Sequence, residues 1–329
     1  MLPRRRFLEL SAASLAASLA AWALPAPLRA QSQRWPSRAV RIVAASAAGG
    51  SLDILARMFG RGLADRLGQP FVVENRGGGG GNIGFDAVAK SPADGYTIMI
   101  GSDPLVINPI IYANLGYDPV RDFAPIITIA TLSQVLAVHP GVPAESFAEF
   151  VALARARPNG INVGTSGVGS PGHLAISLLN QSGVPLVHVP YRGAGPAVAD
   201  AVAGQIHATI VTLPATVGMI KQKQLRALAV TSSKRSRFTP EVPSMAEHLP
   251  GVVVDSWQAF FAPAGTPANI VGLLNAEFTA LLQSREIVDA FEVQAFEAGG
   301  GSPDDLGRFL RAETTKWTPI VKAAGIRAE

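Results

Sequence analysis

From residue 39 onward, short β-branched runs alternate with stretches whose apolar residues recur every three or four positions. AVRIVAA (39–45) precedes LDILARMFGRGLADRL (52–67), PFVVEN (70–75) precedes a helical stretch over 83–90, and YTIMIG (96–101) follows. The longer spacing predicts amphipathic helices and the short runs predict buried strands, so the alternation predicts a parallel sheet covered by helices. After APIITIATLSQVLAVHP (124–140), which reads as a crossing segment, the same pattern resumes. Ser146 opens a helix there, Glu149 completes a capping box, and Asn159-Gly160 ends the helix and starts a strand.

INVGTSGVGSPGHLAISLL (161–179) is strand, glycine loop and apolar helix, as is the region around SAAGGSLDILAR (46–57). Further βα units are LVHVPYRGAGPAVADAVAGQ (186–205) and ATIVTLPATVGMIKQKQLRALAVTS (208–232), and VVVDSWQAFFAPAGTP (252–267) reads as a second crossing strand. The tail is helical: Thr266-Pro267 and Ser302-Pro303 each read as an N-cap followed by proline at the first helical position, with AGGG (298–301) as a separator. Two crossings between two similar halves predict an α/β chain of two lobes with a cleft between them. Residues 35–132 form the first part of lobe 1, 133–255 form lobe 2, and 256–329 return to lobe 1.

Residues 1–30 change the picture of charge. They carry an arginine cluster, an Ala/Ser/Leu stretch too weakly apolar for a span and a small residue at Ala30, which together read as an export leader. Arg4, Arg5, Phe7 and Leu8 fit the twin-arginine pattern, and an ordinary secretory leader with three arginines is the alternative. Cleavage after Ala30 removes four arginines and one glutamate, so the formal charge falls from +4 to +1 and gives no cause to expect a nucleic-acid partner. No cysteine is present, which excludes disulfides, a catalytic thiol, thiolate metal sites and a lipidated cysteine anchor. The mature product is expected to be soluble and periplasmic.

Candidate chemistry follows from the loops. A glycine turn that opens a helix leaves free N–H groups at the positive end of the helix dipole, which suits an anion. GGSLD and TSGVGSPGH are two such turns, one in each half, so the two together suit a ligand with carboxylates. Asp53 lies in the first turn of its helix, where it either caps the helix or meets the ligand. His173 lies one turn into the second helix, where it either donates to a carboxylate or packs. In ENRGGGGGNIGF, Gly79, Gly81 and Gly84 meet the G-x-G-x-x-G spacing, and Asp103 lies 19 residues beyond Gly84. That would serve an exported NAD(P)-dependent oxidoreductase, but five consecutive glycines produce the spacing by composition alone, and Ser91-Pro92 cuts the following helix short. The five histidines show no i, i+3 or i+4 pairing, so no metal site is expected, and the nucleophile elbow G-x-S-x-G is absent.

GGSLDILAR, GQPFVVENRGGGGGNIGFDAVAKSPADGYTIMIGS, INPIIY, YDPVRDFAPI, GSPGHLA, VHVPYRG, LRALAVTS, FAPAGTP and KAAGI occur in order. In these stretches the chain from Trp35 onward resembles the Bug family of extracytoplasmic solute receptors, the binding components of tripartite tricarboxylate transporters. The resemblance implies a periplasmic-binding-protein-like fold (type II, Venus flytrap), no catalysis and no cofactor. It also implies a carboxylate ligand, held by a monomer that serves a membrane transporter or a sensor. Its first loop maps to Ser46, Ala47, Ala48, Gly49, Gly50 and Asp53, and its second to Thr165, Gly167, Gly169, Ser170 and His173. Gly101, Ser102, Tyr191, Arg192 and Gly193 map to the rim. The chain departs from the family pattern at Ala45-Ser46, which replaces Pro-Phe, and at Val211-Thr212, which replaces Asp-Asn. Loss of the aromatic predicts a wider, more polar pocket, and loss of the acid predicts an acidic ligand without an amino group.

Overall fold

The run at residues 40–44 forms β1 (Val40–Ala44), and the alternation continues as α1 (Ser51–Leu67), β2 (Phe71–Asn75), α2 (Asn82–Ala89), β3 (Thr97–Ser102), α3 (Pro104–Ile111) and the long β4 (Phe123–Val138). The second half contributes α4 (Phe147–Ala156), β5 (Ile161–Thr165), α5 (Pro171–Gln181), β6 (Leu186–Pro190), α6 (Ala194–Val202), β7 (Ala208–Thr212), α7 (Leu213–Lys221) and β8 (Arg226–Val230). β9 (Asp255–Pro263), α8 (Ala268–Leu282), α9 (Arg285–Gln294), β10 (Glu297–Gly300) and α10 (Pro303–Ala323) complete the chain. This computed structural model describes residues 35–157, 159–323 and 325–327, and the expected leader lies outside them.

The expected parallel sheets are present, one in each half. β1 lies parallel to both β2 and β3, with Ile42 opposite Val73 and Ile98. β5 lies parallel to both β6 and β7. The crossing strands make the whole mixed. β9 runs antiparallel between β3 and β4, and the first part of β4, through Ser133, pairs with β9 and β10. From Gln134 onward β4 pairs instead with β7 and β8. One strand therefore belongs to both lobes, and the switch falls between Ser133 and Gln134. Thr231 fastens it: its N–H donates to Gln134 O at 2.9 Å, its hydroxyl accepts from Gln134 N–H at 3.1 Å, and the same hydroxyl donates to Val254 O at 2.6 Å.

The terminal helices bury an aromatic cluster against the first sheet. Phe59 of α1 meets Phe260, Phe278 and Phe291 at centroid distances of 6.1, 5.6 and 6.1 Å, and the Phe260 and Phe278 rings stack at 4.2 Å. Such pairs add to what burial of the rings already supplies, so α8 and α9 are held on the back of the sheet by ring packing.

Three local expectations are corrected. Ser146 accepts from Glu149 N–H at 3.2 Å, but the Glu149 carboxylate accepts from Glu145 N–H at 2.7 Å, one residue before the cap, so the box is half formed. Pro267, not Thr266, is the N-cap of α8, because the Thr266 hydroxyl turns back to donate to Pro263 O at 2.7 Å. AGGG is not a bare separator: Ala298–Gly300 belong to β10, whose Ala298 lies opposite Ala130 of β4. Glycine has little intrinsic strand preference, so the pattern carried no cue. The reason for it is steric, since a Cβ on Gly299 would lie 2.6 Å from Thr128 O.

Candidate functional site

At the carboxyl ends of β1, β2, β3, β5, β6 and β7 the chain turns into α1, α2, α3, α5, α6 and α7. Residues at the first turns of all six helices line one cavity of about 60 Å³: Gly50, Gly81, Pro104, Ser170, Ala194 and Thr212 are one from each. Ligands of open α/β sheets bind outside the carboxyl ends of the strands, and each helix N-terminus brings roughly half a positive charge there. No aspartate or glutamate lines the cavity, and Arg192 is its single charged residue.

In the first loop, Ala47 N–H donates to Arg192 O at 2.9 Å and Ser46 Oγ donates to Ala47 O at 3.2 Å. Gly49 N–H donates to Asp53 Oδ2 at 3.0 Å, and Arg57 pairs with the other Asp53 oxygen at 2.9 Å. Burial would raise the Asp53 pKa, but Gly49, Arg57 and Asn75 together outweigh it and hold the carboxyl below its usual range. Asp53 is absent from the lining and caps its own loop. Asp53→Ala is expected to cost about 1 kcal/mol of stability in urea denaturation, as loss of a cap does, while ligand affinity changes by less than about threefold. A larger affinity loss in calorimetry would mean that the carboxylate meets the ligand.

The second loop is built from within. Thr165 Oγ1 accepts from Gly167 N–H at 3.2 Å and lies 2.7 Å from His188 Nε2, and Gly169 N–H donates to His173 Nδ1 at 3.2 Å. His173 and His188 stack with centroids 3.9 Å apart and planes 9° off parallel. They come from α5 and β6, so helical spacing could not reveal the pair. Pro171 has no N–H, and the His173 N–H goes to Ser170 Oγ at 3.4 Å, so this turn offers fewer free amides than its sequence promised.

Of the sixteen residues mapped from sequence, Ser46, Gly50, Ser102, Ser170 and Arg192 line the cavity. The others are not part of its lining. Gly101 is in β3 against Phe85, and the Tyr191 hydroxyl donates to Asp200 at 2.7 Å. Ala47, Ala48, Gly49, Thr165, Gly167, Gly169 and His173 shape the two loops, and Gly193 is the N-cap of α6. Val211 is fully buried in a hydrophobic cluster and is not among the residues that line the cavity. The shortage of acid is a property of the whole lining.

Sequence reasoning missed a polar network across the cleft. Ser51 Oγ accepts from Thr212 Oγ1 at 3.1 Å and from Gln258 Nε2. Gln134 and Gln258 both line the cavity at 2% exposure, and Gln134 Nε2 and Gln258 Oε1 have no hydrogen-bond partner among the described residues. A signal existed: each of the apolar crossing runs, IATLSQVLAV and SWQAFFAP, contains a glutamine, and a buried amide is costly unless something pairs with it.

The nucleotide alternative loses its acid. Asp103 is fully buried, accepting from Ser256 Oγ at 2.6 Å and Trp257 N–H at 3.4 Å, and burial pushes it up to about 7 against those bonds. It has no open side for a ribose. Gly79–Gly81 form a 3₁₀ turn, and a Cβ on Gly80 would lie 2.6 Å from Val168 O in the second loop.

A model described as tripartite tricarboxylate transporter family receptor matches residues 55–326. Protein BugT of Bordetella pertussis is 36% identical over 308 residues, 92% of this chain and 94% of that one. The structure of R. palustris Rpa4515 with adipate is similar at 40% identity and a TM-score of 0.86, covering 89% of this chain and 99% of the other. That of MatC from Rhodopseudomonas palustris with bound malate is similar at 28% identity and a TM-score of 0.80, covering 87% and 100%.

Proposed function

We propose that this chain, which belongs to the tripartite tricarboxylate transporter receptor family, captures a small dicarboxylate between its lobes and delivers it to a membrane transporter or a sensor. The observation that carries the reading is the convergence of six helix N-termini on a cavity with no acidic side chain. A hydrogen bond to a charged group contributes about 1.5–3 kcal/mol and a helix terminus roughly 0.3–1, so two or three donors per carboxylate reach the ~8 kcal/mol of micromolar binding after ordering costs. The adipate and malate held by Rpa4515 and MatC are both dicarboxylates, which supports the class. With no carboxylate in the lining to meet an ammonium, the ligand is an acid without an amino group. The clamp is formed by residues 35–132 with 256–329 on one side and 133–255 on the other. It binds without catalysing, in the periplasm, after loss of the leader.

Calorimetry of the protein without residues 1–30 against malate, succinate, adipate, aspartate and NAD tests this. At least one dicarboxylate is expected to bind in the micromolar range while aspartate and NAD give no heat. Aspartate binding alone would overturn the amine-free class, and a nicotinamide response above every acid would overturn the receptor reading. Arg192, exposed at the rim, is expected to act through long-range attraction. Arg192→Gln should weaken binding by about 0.5–1 kcal/mol at low salt, an effect that fades as the Debye length shrinks toward 3 Å at 1 M.

A further inference from the structure

The two lobes meet along a line of glycines. Ala47 N–H donates across it to Arg192 O at 2.9 Å, and the surrounding contacts are backbone against backbone. A Cβ on Gly195 would stand 2.1 Å from Ala48 O, one on Gly193 2.8 Å from Ala47 N, one on Gly77 2.4 Å from Arg192 O, and one on Gly80 2.6 Å from Val168 O. Real Cβ atoms essentially never come within 3.0 Å of such atoms. Gly77 also crowds Ala47 of its own lobe, and Gly80 and Gly193 have positive φ, so each of these has a local reason to be glycine. Gly195 has none. It lies inside α6, outside the positive-φ region, and all three of its nearest atoms belong to Ala48 and Gly49 of the facing loop. Alanine would suit the helix better, so glycine at this position works against local helix preference.

We propose that Gly195 is the residue that sets how far the lobes close, and through closure the affinity for ligand, without touching the ligand itself. The inference rests on the clamp reading above. Apparent affinity is intrinsic affinity multiplied by the fraction of closed, competent protein, and a Cβ at 195 removes the closed form while leaving each lobe intact. The glycine run at 77–81, with the loop at 192–195, then forms a seam that lets two backbones approach where side chains would hold them apart.

The test compares Gly195→Ala with Gly218→Ala, a helical glycine of α7 with no atom within 4 Å of an added Cβ. The chain has no cysteine, so Val72→Cys and Val187→Cys, at positions 55% and 42% exposed on β2 and β6, take a pair of spin labels in each background. Pulsed electron resonance is expected to show a closed separation in the wild type and in Gly218→Ala, either already without ligand or on addition of adipate as probe. Gly195→Ala is expected to lack that separation, to bind adipate about tenfold or more weakly, and to melt without ligand no lower than the wild type. Gly80→Ala, whose Cβ meets Val168 across the same seam, should lose the closed separation too. A closed separation retained in Gly195→Ala, or wild-type adipate affinity, would overturn the proposal. If the wild type binds no carboxylate the receptor reading fails, and the ligand-free label distances then decide whether Gly195 governs closure: a closed separation present in the wild type and lost in Gly195→Ala upholds it, and a wild type that never closes overturns it.

Discussion

Lowering the pH from 7 to 4 is expected to cost the protein several kcal/mol of stability, with most of the loss between pH 6.5 and 4. The cause is the stacked pair His173 and His188. Burial pushes His173 down to about 4, and burial together with the charge of His173 pushes His188 down to about 3. Both fold as neutral rings, and His173 Nδ1 must be unprotonated to accept from Gly169 N–H. Above pH 6.5 neither state binds these protons and the contribution is fully present. Below it the unfolded chain binds them first, so stability falls until the folded values are reached. Each tenfold weakening of proton binding on folding corresponds to about 1.36 kcal/mol. Asp103 opposes this, because its carboxyl, raised to about 7, becomes less unfavourable as the pH falls over the same window. Two imidazoles against one carboxyl leave a net loss. Urea denaturation at pH 7, 5.5 and 4 measures it, and His173→Gln should flatten the profile. Stability that holds or rises at pH 4 would show that the pair carries no such linkage.

The βα alternation was legible because each unit places a β-branched run before a helix of regular apolar spacing, and both crossings showed as longer apolar runs. The convergence of six helix ends was not. The turns at Gly49-Gly50 and Gly169-Ser170 announce themselves with glycine, whereas α3 opens with Ser102-Asp103-Pro104 and α7 with Thr212-Leu213-Pro214, which read as ordinary caps. Only the shared direction of parallel strands brings them to one place. Asp53 and His173 were recognisable as residues near the site, but their local hydrogen bonds to Gly49 and Gly169 depend on loop geometry. The glycine run was visible as a motif and unreadable as a seam, because what it meets, Val168 and Arg192, lies in two loops far along the chain.

Gln134→Leu is expected to weaken dicarboxylate binding by roughly 10- to 150-fold while leaving the ligand-free protein as stable as the wild type, or more so. Gln134 stands where β4 leaves one sheet for the other, opposite Thr212, at 2% exposure with its Nε2 unpaired among the described residues. A buried amide without a partner carries its desolvation cost unrelieved, and a well-packed apolar group of similar size removes that cost. The same N–H facing a carboxylate is a hydrogen bond to a charged group, worth about 1.5–3 kcal/mol, from which the fold-change follows. The contrast is Gln258→Leu. Its Nε2 already donates to Ser51, so that variant gives up a formed bond and should lower stability as well as affinity. Affinity and ligand-free melting temperature moving in opposite directions in Gln134→Leu, and together in Gln258→Leu, would separate a group reserved for the ligand from one that holds the cleft. An affinity for the best dicarboxylate of the panel within about twofold of wild type in Gln134→Leu, under about 0.5 kcal/mol, would show that the free amide does not face the ligand.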